Sequence, residues 1–293
     1  MRDIRTHDDL DWLITDSIEE STILEFKCML PRKPQESKNN SKFILSKAIS
    51  ALANTKGGQI IIGMKEEKDI AKEIEWIDER QYKQTLDSWI NDELDPAITD
   101  YELNTIKNRE NDSSVYVIKI NKSRKGPHQA NNGVYYKRVE TSSISMSDYE
   151  VKDAMFRSGL IEALIQELID NYIHAKELKD NENEFKHLYN EGNPPSFPIV
   201  IRHFDTEIWK VIISSGFFSV VSDLCPRILK LYSSIKELNT LIDIISRKIL
   251  RAATKENPKG EHIFNNFYYS INNDIISPLE EIIKTFGYKI PKV

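Results

Sequence analysis

The sequence predicts an α+β fold in its first half, a mixed sheet flanked by helices, followed by an all-α helical bundle. Three observations predict it. Thr22 to Met29 alternates with the period of two that a strand requires. Ile60-Ile61-Ile62, behind the turn Gly57-Gly58, is β-branched and apolar throughout, as a central strand is. From Leu224 to Ile249 the residues Leu224, Ile228, Leu231, Ile235, Leu238, Ile242, Ile245 and Ile249 recur in steps of four and three, an apolar helical seam.

Element by element, residues 7–18 read as a short helix with Leu10, Leu13 and Ile14 on one side. In the strand that follows, Ile23, Glu25 and Lys27 point one way and Leu24, Phe26 and Cys28 the other, which places Cys28 in the core. A polar loop leads to a helix capped by Ser41, with Phe43, Ala48, Ile49 and Leu52 at helical spacing. Gly57-Gly58 ends it, because glycine tolerates the left-handed conformation of a helix C-terminus. Residues 79–94 form a second helix, with Tyr82, Leu86, Trp89, Ile90 and Leu94 inward, stopped before Pro96. Strands are expected over 98–106, 114–120 and 133–139. Ser147 and Glu150 form a capping box for a helix reaching about Phe156. The domain boundary falls near Ser158-Gly159, separating residues 1–157 from 160–293, and the second part carries helices over 160–179, 204–213 and 264–286.

The chain has 293 residues, 40% hydrophobic and 29% charged, the composition of an ordinary soluble protein of one large domain or two smaller ones. Its longest uncharged run, Val211 to Ser222, is too short to span a bilayer, and the first residues lack the apolar stretch of a secretory signal. Cys28 and Cys225 lie far apart without metal-ligand spacing, which suits two reduced thiols in a cytoplasmic protein. A net charge of −6 argues against a globally basic nucleic-acid binder. The charge is segregated, however. Lys119 to Arg138 holds six Lys or Arg and no acidic residue, whereas Glu66 to Glu102 holds thirteen acidic residues against four basic. Such a chain can carry a local anion-binding face on an acidic body.

Two groups of residues carry candidate chemistry. Glu25 and Lys27 share a strand face, Glu20 sits at the bend before it, and Glu66 or Glu67 follows the Ile60–Met64 strand. Three carboxylates and an ammonium are what a Mg or Mn ion and the phosphodiester it activates require, although Glu and Lys two apart also describe a solvated sheet face. The second group is Lys119, Lys122, Arg124, Lys125, His128, Lys137 and Arg138 with Tyr135 and Tyr136, extended by Arg32 and Lys33. It reads as a phosphate track with an aromatic platform, or as a basic solvated hairpin.

The pattern Glu20-Ser-Thr-x-x-Glu25-Phe-Lys27, followed by Ala53-Asn-Thr-x-Gly-Gly-x-Ile-x-Ile-Gly63, resembles the core of the Schlafen family, whose domain is also called AlbA-like. The likeness continues through Val115–Ile120, Gly126-Pro127 and Gly133–Val139 and covers roughly residues 10–157. It implies a metal-dependent endoribonuclease acting on structured RNA such as tRNA, in stress response or phage defence. Glu20, Glu25 and Glu66 would be the metal ligands and Lys27 the transition-state cation. Lys65-Glu66 stands where the family usually has two aspartates. The same resemblance implies, as an alternative, a non-catalytic DNA- or RNA-binding regulator. Because eukaryotic Schlafens join two such lobes and one is legible here, it also implies a homodimer. A third reading makes the helical half a protein-interaction module.

Overall fold

The structure, a computed structural model, describes residues 2–30, 40–78, 81–183, 201–215, 221, 224–252 and 261–291. The chain divides into two compact units, Met1–Ser158 and Gly159–Val293.

The first unit runs α1 (His7–Thr15), β1 (Leu24–Lys27), α2 (Asn40–Ala53), β2 (Gly57–Ile62), β3 (Met64–Glu67), β4 (Ile70–Ile74), α3 (Tyr82–Asp92), β5 (Leu94–Asp95), β6 (Tyr101–Lys107), β7 (Ser114–Asn121), β8 (Gln129–Ala130), β9 (Tyr136–Val139) and β10 (Ser142–Ser145), then opens α4 (Asp148–Asp180). Its main sheet has the order β1-β2-β7-β6. β1 pairs parallel with β2, as a strand returning through a crossover helix must, while β2, β7 and β6 are antiparallel, so the sheet is mixed as expected. Ile60, Ile61 and Ile62 are all completely buried because both faces of β2 are covered. Ile60 and Ile62 pack under α2 and α3 with Ile49, Leu52, Tyr82 and Leu86. Ile61 packs with Leu10, Leu13, Phe26 and Met64 on the opposite face.

β1 is therefore an edge strand whose apolar side chains, Leu24 and Phe26, fill one core while Glu25 and Lys27 lie toward α2. Cys28 departs from expectation. It is exposed, because the strand ends at Lys27 and the alternation ends with it. Gly57 and Gly58 are forced by geometry. Gly58 has φ +150°, and a Cβ there would lie 2.4 Å from the Ile23 carbonyl oxygen, on backbone that cannot yield. Gly58→Ala is expected to cost about 3 kcal/mol or more, combining backbone strain with overpacking. A shift of the urea unfolding midpoint measures it, and a midpoint within error of the parent refutes the account of this turn.

The capping box forms as read: Glu150 accepts from the Ser147 amide at 2.9 Å, and the Glu150 amide donates to Ser147 Oγ at 3.4 Å. The helix it opens does not stop near Phe156 but continues to Asp180. Gly159 interrupts nothing, since the roughly 1 kcal/mol that glycine costs a helix interior is small beside the burial of Leu160, Ile161, Leu164 and Ile165 that follow.

The second unit contains the rest of α4, then α5 (Glu207–Ser215), α6 (Cys225–Ala252), α7 (Glu261–Ser270), a π-helical turn (Ile271–Ile276) and α8 (Ser277–Thr285). The seam is its core: Leu224, Ile228, Leu231, Ile235, Leu238, Ile242 and Ile245 are buried against Leu164, Leu168, Phe267 and Leu279. The Ile249 side chain lies outside the described residues. The seam is packing within the bundle, and the expected homodimer finds no support in it. Trp209 joins this core. The single helix expected over 264–286 is broken by the π turn, because Pro278 at the start of α8 has no N–H to continue the ladder. A buried polar stripe on α4 was not legible in sequence. Glu167 accepts from the Ile208 amide at 2.7 Å and from the Tyr232 hydroxyl, capping α5. Asn171 exchanges hydrogen bonds with Asp205, and His174 meets the Arg202 carbonyl.

Candidate functional site

β1, the bend before it and the β9–β10 hairpin bring four charged side chains to one place. Glu20 and Glu25 are both buried, and between them lies the guanidinium of Arg138, itself only 4% exposed. Arg138 Nη1 donates to Glu25 Oε2 at 2.9 Å and Nη2 to Glu20 Oε2 at 3.3 Å. Its remaining donors reach the Ser21 carbonyl at 3.1 Å, Ser143 Oγ at 3.2 Å and the Leu24 carbonyl at 3.3 Å. A guanidinium has five N–H groups, and all five are used. Lys27 Nζ completes the cluster, 2.8 Å from Glu25 Oε1 and 3.9 Å from Glu20 Oε1, and it also donates to the Phe26 carbonyl. Glu20 Oε1 accepts from the Phe26 amide at 2.7 Å. Burial pushes the Glu20 carboxyl above its ordinary range, against the downward pull of that amide, Lys27 and Arg138.

Glu66 does not join them. It is exposed on β3, and its Oε2 accepts from the Asp69 amide at 2.7 Å, closing the β3–β4 turn. Lys65 pairs with Glu73 at 3.1 Å across the same hairpin. Among the described residues no three His, Cys, Asp or Glu side chains gather at metal-binding range. The donor set does not fit a divalent ion either. Each of the four carboxylate oxygens of Glu20 and Glu25 already has a donor. The two negative charges are matched by two positive ones, so nothing is left to offset the dehydration of a dication.

Residues 20–147 match the family model described as Schlafen, AlbA_2. This stretch is a Schlafen AlbA_2 domain. A comparison with curated proteins finds no match. Among solved structures the chain is similar to the DIP2311 protein from Corynebacterium diphtheriae, at 18% identity and a TM-score of 0.33. That likeness covers 45% of this chain and 26% of the other, so the chain spans about a quarter of the length of the structure it matches.

The Schlafen domain scatters the rest of the basic tract. Arg138, expected on the phosphate track, is the buried clamp just described. The reason is strand alternation, since Tyr136 and Arg138 face inward on β9 while Val139 is exposed. Lys137 is held by Glu150, whose carboxyl is pulled down to about 2, first by that lysine and then by the Ser147 amide. Lys119 is half-buried against Asp3 at 3.1 Å. Tyr135 is half-buried, its carbonyl accepting from the Met146 amide at 2.8 Å. Arg32 and Lys33 lie outside the described residues.

Lys122, Arg124 and Lys125 are exposed on the loop after β7, and the fold holds that loop firmly. The Ser123 amide donates to the Ala53 carbonyl at 3.0 Å, and the His128 amide to Asn54 Oδ1 at 2.7 Å. Asn54 also donates to the carbonyls of His128 and Tyr136, both at 2.9 Å. Asn54 thus ties three segments together. The same packing adds a cation that sequence reading passed over. Lys56 is exposed at the end of α2, and Gly57 beside it pairs with Asn121, next to Lys122. Its signal was the Lys-Gly-Gly order, which puts the lysine at the last position before β2.

His128 anchors the loop from inside. It is almost fully buried, with Nδ1 2.5 Å from the Pro96 carbonyl, and burial pushes its pKa down. An unfolded histidine protonates near 6.5, so below that pH the unfolded chain takes up a proton that the folded chain resists, and stability falls with pH. His174, buried in the second unit and shifted the same way, acts likewise. The urea midpoint is therefore expected to fall between pH 7.0 and 5.5, and His128→Gln to reduce that dependence. An identical pH profile in the variant contradicts the assignment.

Proposed function

We propose that the Schlafen AlbA_2 domain of this chain binds nucleic acid through its sugar-phosphate backbone, using Lys56, Lys122, Arg124 and Lys125 at the end of α2. The family match supports a nucleic-acid-related role for the domain. The observation that carries the reading is the loop after β7, which presents three exposed cations from a backbone tied to α2. Cations on a fixed loop lose less entropy on meeting phosphates than cations on a free one. The carboxylates contribute structure, since their charges are spent on Arg138 and Lys27.

A second reading is the metal-dependent endoribonuclease acting on tRNA or other structured RNA. The convergence of Glu20, Glu25 and Lys27 on one face favours it. It requires a Mg or Mn ion where Arg138 now stands.

One experiment separates them. Purified protein is incubated with total tRNA and Mn²⁺ or Mg²⁺, beside an EDTA control and Glu25→Ala, and resolved on native and denaturing gels. The binding reading expects intact RNA shifted equally with and without EDTA. Discrete fragments that vanish in both controls would replace it with the nuclease. No shift and no cleavage would defeat both and turn attention to the helical unit as a protein-interaction module.

A further inference from the structure

We infer that Arg138 serves as the built-in cation of the Glu20–Glu25 pair, standing in for a divalent ion and making the pair independent of metal. The inference goes beyond the binding proposal and does not depend on it. A bridging ion would take one oxygen from each carboxylate, and Arg138 does the same with its two terminal nitrogens, at 2.9 Å to Glu25 and 3.3 Å to Glu20. The oxygens it leaves are occupied by the Phe26 amide and Lys27. The guanidinium is held against displacement by its three other bonds, two to carbonyls of the β1 segment and one to Ser143 on β10. Planar two-armed recognition of this kind is what a guanidinium supplies and an ammonium does not. The clamp also fastens the β9–β10 hairpin to the edge strand β1, so the cation is part of the fold.

The inference makes a reciprocal prediction: removing the guanidinium converts the pair into a dication site. The full-length chain is titrated with MnCl₂ by calorimetry, and its melting temperature is taken in millimolar Mn²⁺ and in EDTA. The parent protein is expected to show the same melting temperature in both and no Mn²⁺ binding that Glu25→Gln removes. Arg138→Gln is expected to bind Mn²⁺ and gain about 5 °C in its presence, as a ligand well above its dissociation constant provides. That gain is lost when Glu25→Gln is added. Arg138→Lys, which keeps a charge but cannot span both carboxylates, covers the case in which the glutamine variant does not fold, and it is expected to gain a smaller Mn²⁺-dependent rise. Mn²⁺ binding by the parent that Glu25→Gln abolishes overturns the inference. So does a folded Arg138 variant with no affinity for Mn²⁺. Since no nucleic acid is present, failure here is distinct from failure of the binding proposal.

Discussion

Arg138→Ala is expected to destabilise the protein by about 3–5 kcal/mol, because it leaves two buried carboxylates facing each other without their shared counter-charge. Removing one partner of a buried ion pair costs far more than the pair itself contributes, since the remaining charges keep their desolvation penalty. Here the remaining charges are Glu20 and Glu25, both under 10% exposed, with only Lys27 to offset them. Two backbone carbonyls, of Ser21 and Leu24, lose a donor in the same step. A thermal melt should show a drop of roughly 10 °C or more. The penalty should shrink on acidification, because Glu20, whose carboxyl is already raised by burial, can take a proton and shed its charge. A variant that melts within 2 °C of the parent, by that same conversion less than about 1 kcal/mol, would show that the clamp contributes little to the fold.

Neutralising Lys56, Lys122, Arg124 and Lys125 together to glutamine is expected to weaken nucleic-acid binding by about 10- to 100-fold at physiological salt, with little change in stability. Phosphate contacts are additive to a first approximation and independent of base sequence, so each substitution should contribute a share. All four side chains are exposed, which is why the fold should tolerate their loss. The same replacement at Lys119 or Lys137 should affect binding less, since those side chains are half-buried. Anisotropy titration of labelled tRNA reads the difference. Equal affinity in the parent and the quadruple variant refutes the location of the interface.

Much of the fold was legible because local and global signals agree. The Ile60–Ile62 strand, the alternation of Leu24 and Phe26, the Ser147 capping box and the seam of α6 are periodic patterns that the packing rewards. The misreadings share a cause, which is tertiary partnership invisible along the chain. Arg138 reads as one more base in a basic run, and only the inward face of β9 and the distant Glu20 and Glu25 make it a clamp. Glu66 reads as a third ligand by its place after β2, yet β3 and β4 form a hairpin whose turn takes its carboxylate. The helix opened by Ser147 reads as ending near Phe156, although it runs on through Gly159 to Asp180. Lys56 was overlooked because its neighbours Lys122, Arg124 and Lys125 lie more than sixty residues further along the chain.

The central claim, that this Schlafen domain holds nucleic acid by a small set of backbone-directed cations and without metal, is tested most directly by the salt dependence of binding. Labelled tRNA is titrated with the full-length chain in EDTA over a range of monovalent salt. Four phosphate contacts predict a slope of log K against log salt of roughly −3 to −4. The quadruple variant is expected to flatten that slope toward zero. Absence of binding in EDTA that is restored by Mn²⁺, or a slope unchanged in the variant, would contradict the account.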